Sequence, residues 1–144
     1  MAEQIYFEDI EVGHEIRELE KDPTTQQLVK YAGASGDFYQ IHYDKDFALA
    51  NKLPGVILHG ALKNAFLGQL VTDFAGPLGW LKRLAVQYRG MDVPGVKLFC
   101  RGRVVKKYVE HADHLVDCEI WIENAKGEKT TPGSATVLLP SRAR

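Results

Sequence analysis

The stretch from Gly60 to Phe74 constrains the fold more than any other. Ala61, Leu62, Ala65, Phe66, Leu67, Leu70 and Val71 cover most of the circumference of a helix, and Gly76-Pro77 stops it. A helix apolar nearly all round is a buried helix, so other elements must enclose it. The enclosing material follows directly. Leu84, Val86 and Tyr88 alternate with Arg83, Gln87 and Arg89, and Leu98, Cys100 and Val104 alternate with Lys97, Arg101 and Arg103. Val116, Cys118, Ile120 and Ile122 alternate with Asp117, Glu119 and Glu123, and Ala135, Val137 and Leu139 with Ser134 and Thr136. With turns at Asp92-Val93-Pro94-Gly95, Glu110–Asp113 and Ala125-Lys126-Gly127, this period of two predicts consecutive antiparallel strands.

Ahead of that helix the chain is mixed. Ile5–Leu19 reads as one strand interrupted at Gly13. Thr24, with Gln27 three residues on, fits a capping box for a helix whose apolar face is Leu28, Tyr31 and Ala32, ended by Gly33 and Gly36. Asp44 is a good N-cap for a short helix to about Leu53, with Phe47, Ala48 and Asn51 facing inward, broken by Pro54-Gly55. A buried helix followed by an antiparallel sheet is α+β, and a sheet wrapped around one central helix is the hot-dog arrangement.

At 144 residues the chain has the size of one domain, expected to span 1–144, and buries enough surface to fold without staples. A net charge of −1 disfavours a nucleic-acid binder. Cys100 and Cys118 lie in apolar, strand-like stretches and read as small buried hydrophobes in a reducing compartment. Met1 to Ile10 has acids and no apolar core of a secretory signal, and no run of apolar residues is long enough to span a membrane. The expected location is cytoplasmic.

The densest polar cluster is the loop Ser35-Gly36-Asp37-Phe38-Tyr39-Gln40-Ile41-His42-Tyr43-Asp44. A carboxylate and an imidazole converging on one water can divide proton transfer, one taking a proton from water and the other delivering one to carbon. The bland alternative makes Asp37 a turn former and His42 a satisfied side chain. His59-Gly60 stands at the start of the buried helix. Backbone N–H groups there lack partners, and a glycine lets a ligand oxygen approach them. His111 and His114 are two histidines in a turn, too few for a metal site. Lys82, Arg83, Arg89, Lys97, Arg101, Arg103, Lys106 and Lys107 are either a solvated sheet face or include a phosphate site.

Taken together, Tyr31-Ala32-Gly33-Ala34-Ser35-Gly36-Asp37, Ile41-His42-Tyr43-Asp44 and Pro54-Gly55-Val56-Ile57-Leu58-His59-Gly60 closely resemble the MaoC-type hydratase signature, Y-A-x-x-S-G-D-x-N-P-x-H-x-D followed by P-x-x-H-G-M. Two departures stand out: Tyr39-Gln40 replaces the usual Asn-Pro, and Ala61 the usual Met. The resemblance implies a hot-dog hydro-lyase that adds water to a trans-2-enoyl thioester, of coenzyme A or acyl carrier protein. It implies syn addition to the (R)-3-hydroxyacyl product, with the reverse dehydration equally open. It also implies Asp37 and His42 as the catalytic pair and the Gly60 N–H as oxyanion donor. Ser35, Tyr39, His59 and Asn64 are expected to line the substrate site, with no metal or cofactor. A homodimer, or a heteromer with another hot-dog subunit, is expected. The rivals are a hot-dog thioesterase and a purely structural subunit. The first usually carries its carboxylate on the central helix, where residues 60–74 offer only Asp73; the Asp37/His42 pair argues against the second.

Overall fold

The computed structural model describes residues 3–143. A 3-10 turn at Phe7–Asp9 leads into strand β1 (Glu15–Lys21), helix α1 (Thr25–Ser35), a second 3-10 turn (Gln40–His42) and helix α2 (Lys45–Ala50). Helix α3 (Gly60–Ala75) is followed by β2 (Trp80–Val86), β3 (Leu98–Glu110), β4 (Asp113–Glu123) and β5 (Lys129–Leu138). The five strands form one antiparallel sheet in the order β1-β3-β4-β5-β2. Helix α3 packs against all five of them, which is the expected α+β, hot-dog arrangement.

The core is the seam between helix and sheet. Phe66, Leu67, Leu70, Val71 and Phe74 of α3 meet Leu98, Cys100, Val104, Val116, Cys118, Ile120, Ile122, Ala135 and Val137. Burial in β4 alternates along the strand, as the period of two requires. Both cysteines are buried, and burial pushes each thiol up to about 12.

Several expectations need correction. The central helix is enclosed on most sides but not all: Ala61, Ala65, Gln69 and Thr72 leave one stripe exposed. The first three of these recur every fourth residue, so small and polar side chains mark the uncovered face. The strands are not all consecutive neighbours either. β2 pairs with β5, so Asp92–Gly95 belongs to a crossover between the two sides of the sheet and not to a hairpin. The physical reason is local. Residues 87–97 are too long for a tight hairpin, and Asp92 is held at the start of α3, its carbonyl accepting from Leu58 N at 2.9 Å. The β3–β4 and β4–β5 hairpins do form. The first turns through His111 and Ala112, both at positive φ, as a two-residue loop of this type requires.

Helix α1 runs through Gly33 and stops at Gly36, which adopts φ 78° and caps the helix. Thr24 accepts from Gln27 N at 3.1 Å, the first half of the expected box. Asp44 caps α2 through Phe47 N. Asn51 does not face inward: it is exposed at the end of α2, where its side-chain amide donates to Phe47 O. The segment before β1 forms a 3-10 turn and an extended lead, and only Glu15–Lys21 is strand.

Candidate active site

Gly36 sets up the site. Its left-handed turn ends α1 and releases the chain into the loop that carries Asp37 and His42. Ser35 braces this turn. Its hydroxyl donates to Tyr31 O at 2.7 Å and accepts from Asp37 N at 3.2 Å. Asp37 Oδ1 then accepts from Tyr39 N at 3.3 Å, an Asx-type turn that orients the carboxylate. The 3-10 turn Gln40–His42 follows and directs His42 inward, where it is 6% exposed.

A second segment meets this loop. Ile57 N donates to Ile41 O at 3.0 Å, and His42 Nδ1 lies 2.7 Å from Ile57 O. A carbonyl can only accept, so Nδ1 carries the proton and Nε2 is left with its lone pair. Nε2 faces Asp37 Oδ2 at 3.8 Å. The carboxylate is half exposed and the imidazole is not, so one partner is open to solvent and the other is fixed by packing.

His59 completes the group. Its ring is fully buried, stacks on His42 with centroids 3.8 Å apart, and receives the edge of Tyr31 at 4.8 Å. Its Nε2 donates to Asp37 O at 3.3 Å, while its Nδ1 has no partner among the described residues. Burial lowers its pKa below the ordinary 6.5, and the neighbouring His42 acts in the same direction. A neutral His59 is therefore a flat, uncharged wall behind His42. Donor atoms of Asp37, His42 and His59 lie within 4.8 Å of one another. The two imidazole rings are stacked at 21° between planes, so their in-plane lone pairs do not converge on one ion, and this donor set suits proton transfer better than metal ligation.

Gly60 follows His59 and begins α3. His59 gives the helix no side-chain cap, so the first N–H groups of α3 keep their hydrogen-bonding capacity. The sequence suggested that the glycine is needed for ligand approach. The structure adds a second constraint at this position: a Cβ on Gly60 would lie 2.9 Å from the ring of Tyr88. Asn64 stands one turn further along α3 and is half-buried. Tyr39 is exposed and presents its ring edge to His42 at 6.2 Å. A cleft of about 380 Å³ opens beside His42, walled by Val29, Pro54, Val56, Val93 and Pro94.

Sequence reasoning missed Lys63, Asp92, Thr130 and Tyr88. Lys63 and Asp92 form an ion pair at 3.1 Å that is almost wholly buried, and Tyr88 covers Gly60. A signal for Lys63 did exist. It shares a helix face with Phe66, Leu67 and Leu70, at steps of three, four and seven residues, and a lysine on an inward face needs a partner. His114 packs its ring against the edge of Phe7. Of the basic residues in the strands, Arg101 pairs with Glu18 and Glu123, Arg103 with Glu119, Lys97 with Glu20, Lys82 with Asp113 and Lys107 with Glu11.

Residues 9–124 match the model of the MaoC like domain family. Among solved structures, the chain resembles the R-hydratase PhaJ1 from Pseudomonas aeruginosa, with a TM-score of 0.86 and 22% identity over 96% of this chain and 88% of that one. It resembles the (R)-hydratase from A. caviae with a TM-score of 0.79 and 23% identity, covering 91% of this chain and 98% of that one. The ChsH1-ChsH2 complex from Mycobacterium tuberculosis gives a TM-score of 0.79 and 22% identity, covering 90% of this chain and 98% of that one. A 70-residue segment is 36% identical to the fatty acid synthase beta subunit TOXC of Cochliobolus carbonum, covering 47% of this chain and 3% of that much longer protein. With the fold and the family model in agreement over most of its length, the chain belongs to the MaoC like domain family.

Proposed function

We propose that this chain hydrates a trans-2-enoyl thioester, of coenzyme A or an acyl carrier protein, or runs the reverse dehydration. The observation that carries the reading is the pair of Asp37 and His42, with His42 Nε2 3.8 Å from the Asp37 carboxylate and Nδ1 held by Ile57 O. That spacing suits two groups that share one water. His42 takes a proton from the water through Nε2, and hydroxide adds to C3. Asp37, half exposed beside it, holds the water, receives that proton from His42 and passes it to C2, so that both groups end as they began. The charge that develops on the thioester oxygen falls at the start of α3, where the Gly60 N–H donates to it. The apolar cleft beside His42 is room for the acyl chain. Ser35 and His59 act on this site through Asp37 and His42, and Tyr39, exposed with its ring 6.2 Å from that of His42, borders it.

The assembly follows from what the fold leaves open. The α3 stripe of Ala61, Ala65, Gln69 and Thr72 is uncovered, and Phe38, Tyr39, Tyr43, Tyr88 and Met91 are exposed around the site. Apolar surface of this kind is usually covered by a partner. We expect residues 1–144 to act as one hot-dog domain, paired with a second copy or with another hot-dog subunit. A monomer in sedimentation at micromolar concentration, with full activity, would contradict this.

The thioesterase alternative is weak, because Asp73, the only carboxylate on α3, is exposed near the end remote from Gly60. One assay separates the two. On mixing with crotonyl-CoA, hydration removes the enoyl-thioester absorbance without releasing thiol; a thioesterase releases thiol in step with turnover.

A further inference from the structure

Lys63 lies one turn into α3, with its side chain 3% exposed. Its ammonium donates to Gly90 O at 2.9 Å and to Asp92 Oδ2 at 3.1 Å. The Thr130 hydroxyl donates to the same carboxylate oxygen at 2.6 Å. The backbone repeats the connection: Leu58 N donates to Asp92 O at 2.9 Å, and Gly90 N to Thr130 O at 2.9 Å. Three separate stretches of chain are thus tied at one point. They are the segment 58–63 that begins α3, the crossover 88–92, and the start of β5.

A buried ion pair is a poor device for stability. Removing two charges from water offsets most of their attraction, and apolar residues of the same size usually serve as well. Nor does the ammonium supply much field at the helix end, because the Asp92 carboxylate cancels its charge. What the pair contributes is direction, since an ammonium with two acceptors fixes the helix start relative to the crossover. Tyr88 shows how tight that registration is. Its ring lies so close over Gly60 that a Cβ there would meet it at 2.9 Å, and Lys63 Nζ stands 5.8 Å from the same ring.

We propose that Lys63 and Asp92 are a positioning pair that sets where the Gly60 N–H stands relative to Asp37 and His42. Neither touches the reacting atoms. The inference rests on the hydratase reading above, in which the Gly60 N–H receives the thioester oxygen. A misplacement of about 1 Å in such a site costs about 100-fold in rate, and its effect falls on kcat because the charge develops only as water adds.

The test replaces both charges at once, Lys63→Met with Asp92→Leu, so that neither is left unpaired. With crotonyl-CoA as substrate, the double variant should unfold at the wild-type temperature or higher, hold KM within about threefold, and lose about 10- to 100-fold in kcat. Thr130→Val, which keeps the ion pair and removes one hydrogen bond from Asp92, should lose less, again in kcat. It decides the question if the double variant does not fold. Wild-type kcat in a folded double variant, or in Thr130→Val where that variant must decide, overturns the proposal, as does a loss confined to KM. Asp37→Asn is measured alongside. If it loses turnover while the double variant keeps it, only the positioning role fails. If Asp37→Asn keeps turnover, the hydratase reading and the positioning role fall together.

Discussion

Two sets of ion pairs in this molecule differ in almost every respect except their chemistry. On the outer face of the sheet, Arg101 reaches Glu18 and Glu123, Arg103 reaches Glu119, and Lys97 reaches Glu20, spanning β1, β3 and β4 and the loop before β3. Most of these side chains are about half exposed. At the start of α3, Lys63 and Asp92 are 3% and 2% exposed. Water screens the first set, so each pair contributes about 0–1 kcal/mol and chiefly favours the strand register. The second set has no water to replace a lost partner. Distance alone does not distinguish them, since both lie near 3 Å; burial does. Arg101, Arg103 and Lys97 are engaged with carboxylates and make a solvated sheet face.

The contrast can be broken from either side. Lys63→Met alone strands a buried carboxylate and should cost about 3–5 kcal/mol in denaturant unfolding. Adding Asp92→Leu should return most of it. A single variant that loses less than about 1 kcal/mol would put Lys63–Asp92 in the same class as the surface pairs.

A smaller effect is expected from His59, the other buried polar group behind the site. Its folded-state pKa lies below the ordinary 6.5. The unfolded chain therefore takes up a proton near that pH, and the folded chain does so only at lower pH. The contribution to stability is complete above about 6.5 and is lost as pH falls through the folded value. His59→Gln should flatten the stability profile on the acid side. An unchanged acid slope in the variant would mean that His59 is protonated in the folded protein as readily as in the unfolded one.

The smallest effect belongs to the sheet face. Arg103→Met should change stability by less than about 1 kcal/mol, and by less still in high salt. A loss of several kcal/mol would erase the distinction between the two sets.

The same division explains what the sequence reveals and what it hides. The apolar run of α3, the period of two in β3 to β5 and the loop from Ser35 to Asp44 are local patterns, and each is found where the pattern puts it. The position of β2 is not local. Alternation says which face of a strand is buried and not which neighbour it takes, so Trp80–Val86 could not be assigned to β5 without knowing that Asp92 is held at α3. Lys63 was hidden for a related reason. Its partner lies 29 residues away, so the inward face shows that Lys63 needs a partner but not which residue supplies it. At Gly60 the structure adds Tyr88, whose ring lies close to where a Cβ would stand, a contact that no local pattern names. The spacing of Asp37 and His42 was legible as a pair. The tautomer of His42, fixed by a backbone carbonyl fifteen residues away, was not.

The most direct measurement of the central claim is turnover of crotonyl-CoA by Asp37→Asn and His42→Ala, followed by loss of the enoyl absorbance, with circular dichroism to show that each variant is folded. Removing one member of an acid/base pair costs about 100-fold or more. Each folded variant should lose at least that much in kcat, with no thiol released by either variant or by the wild type. Wild-type turnover in either one would show that the water is activated by some other group.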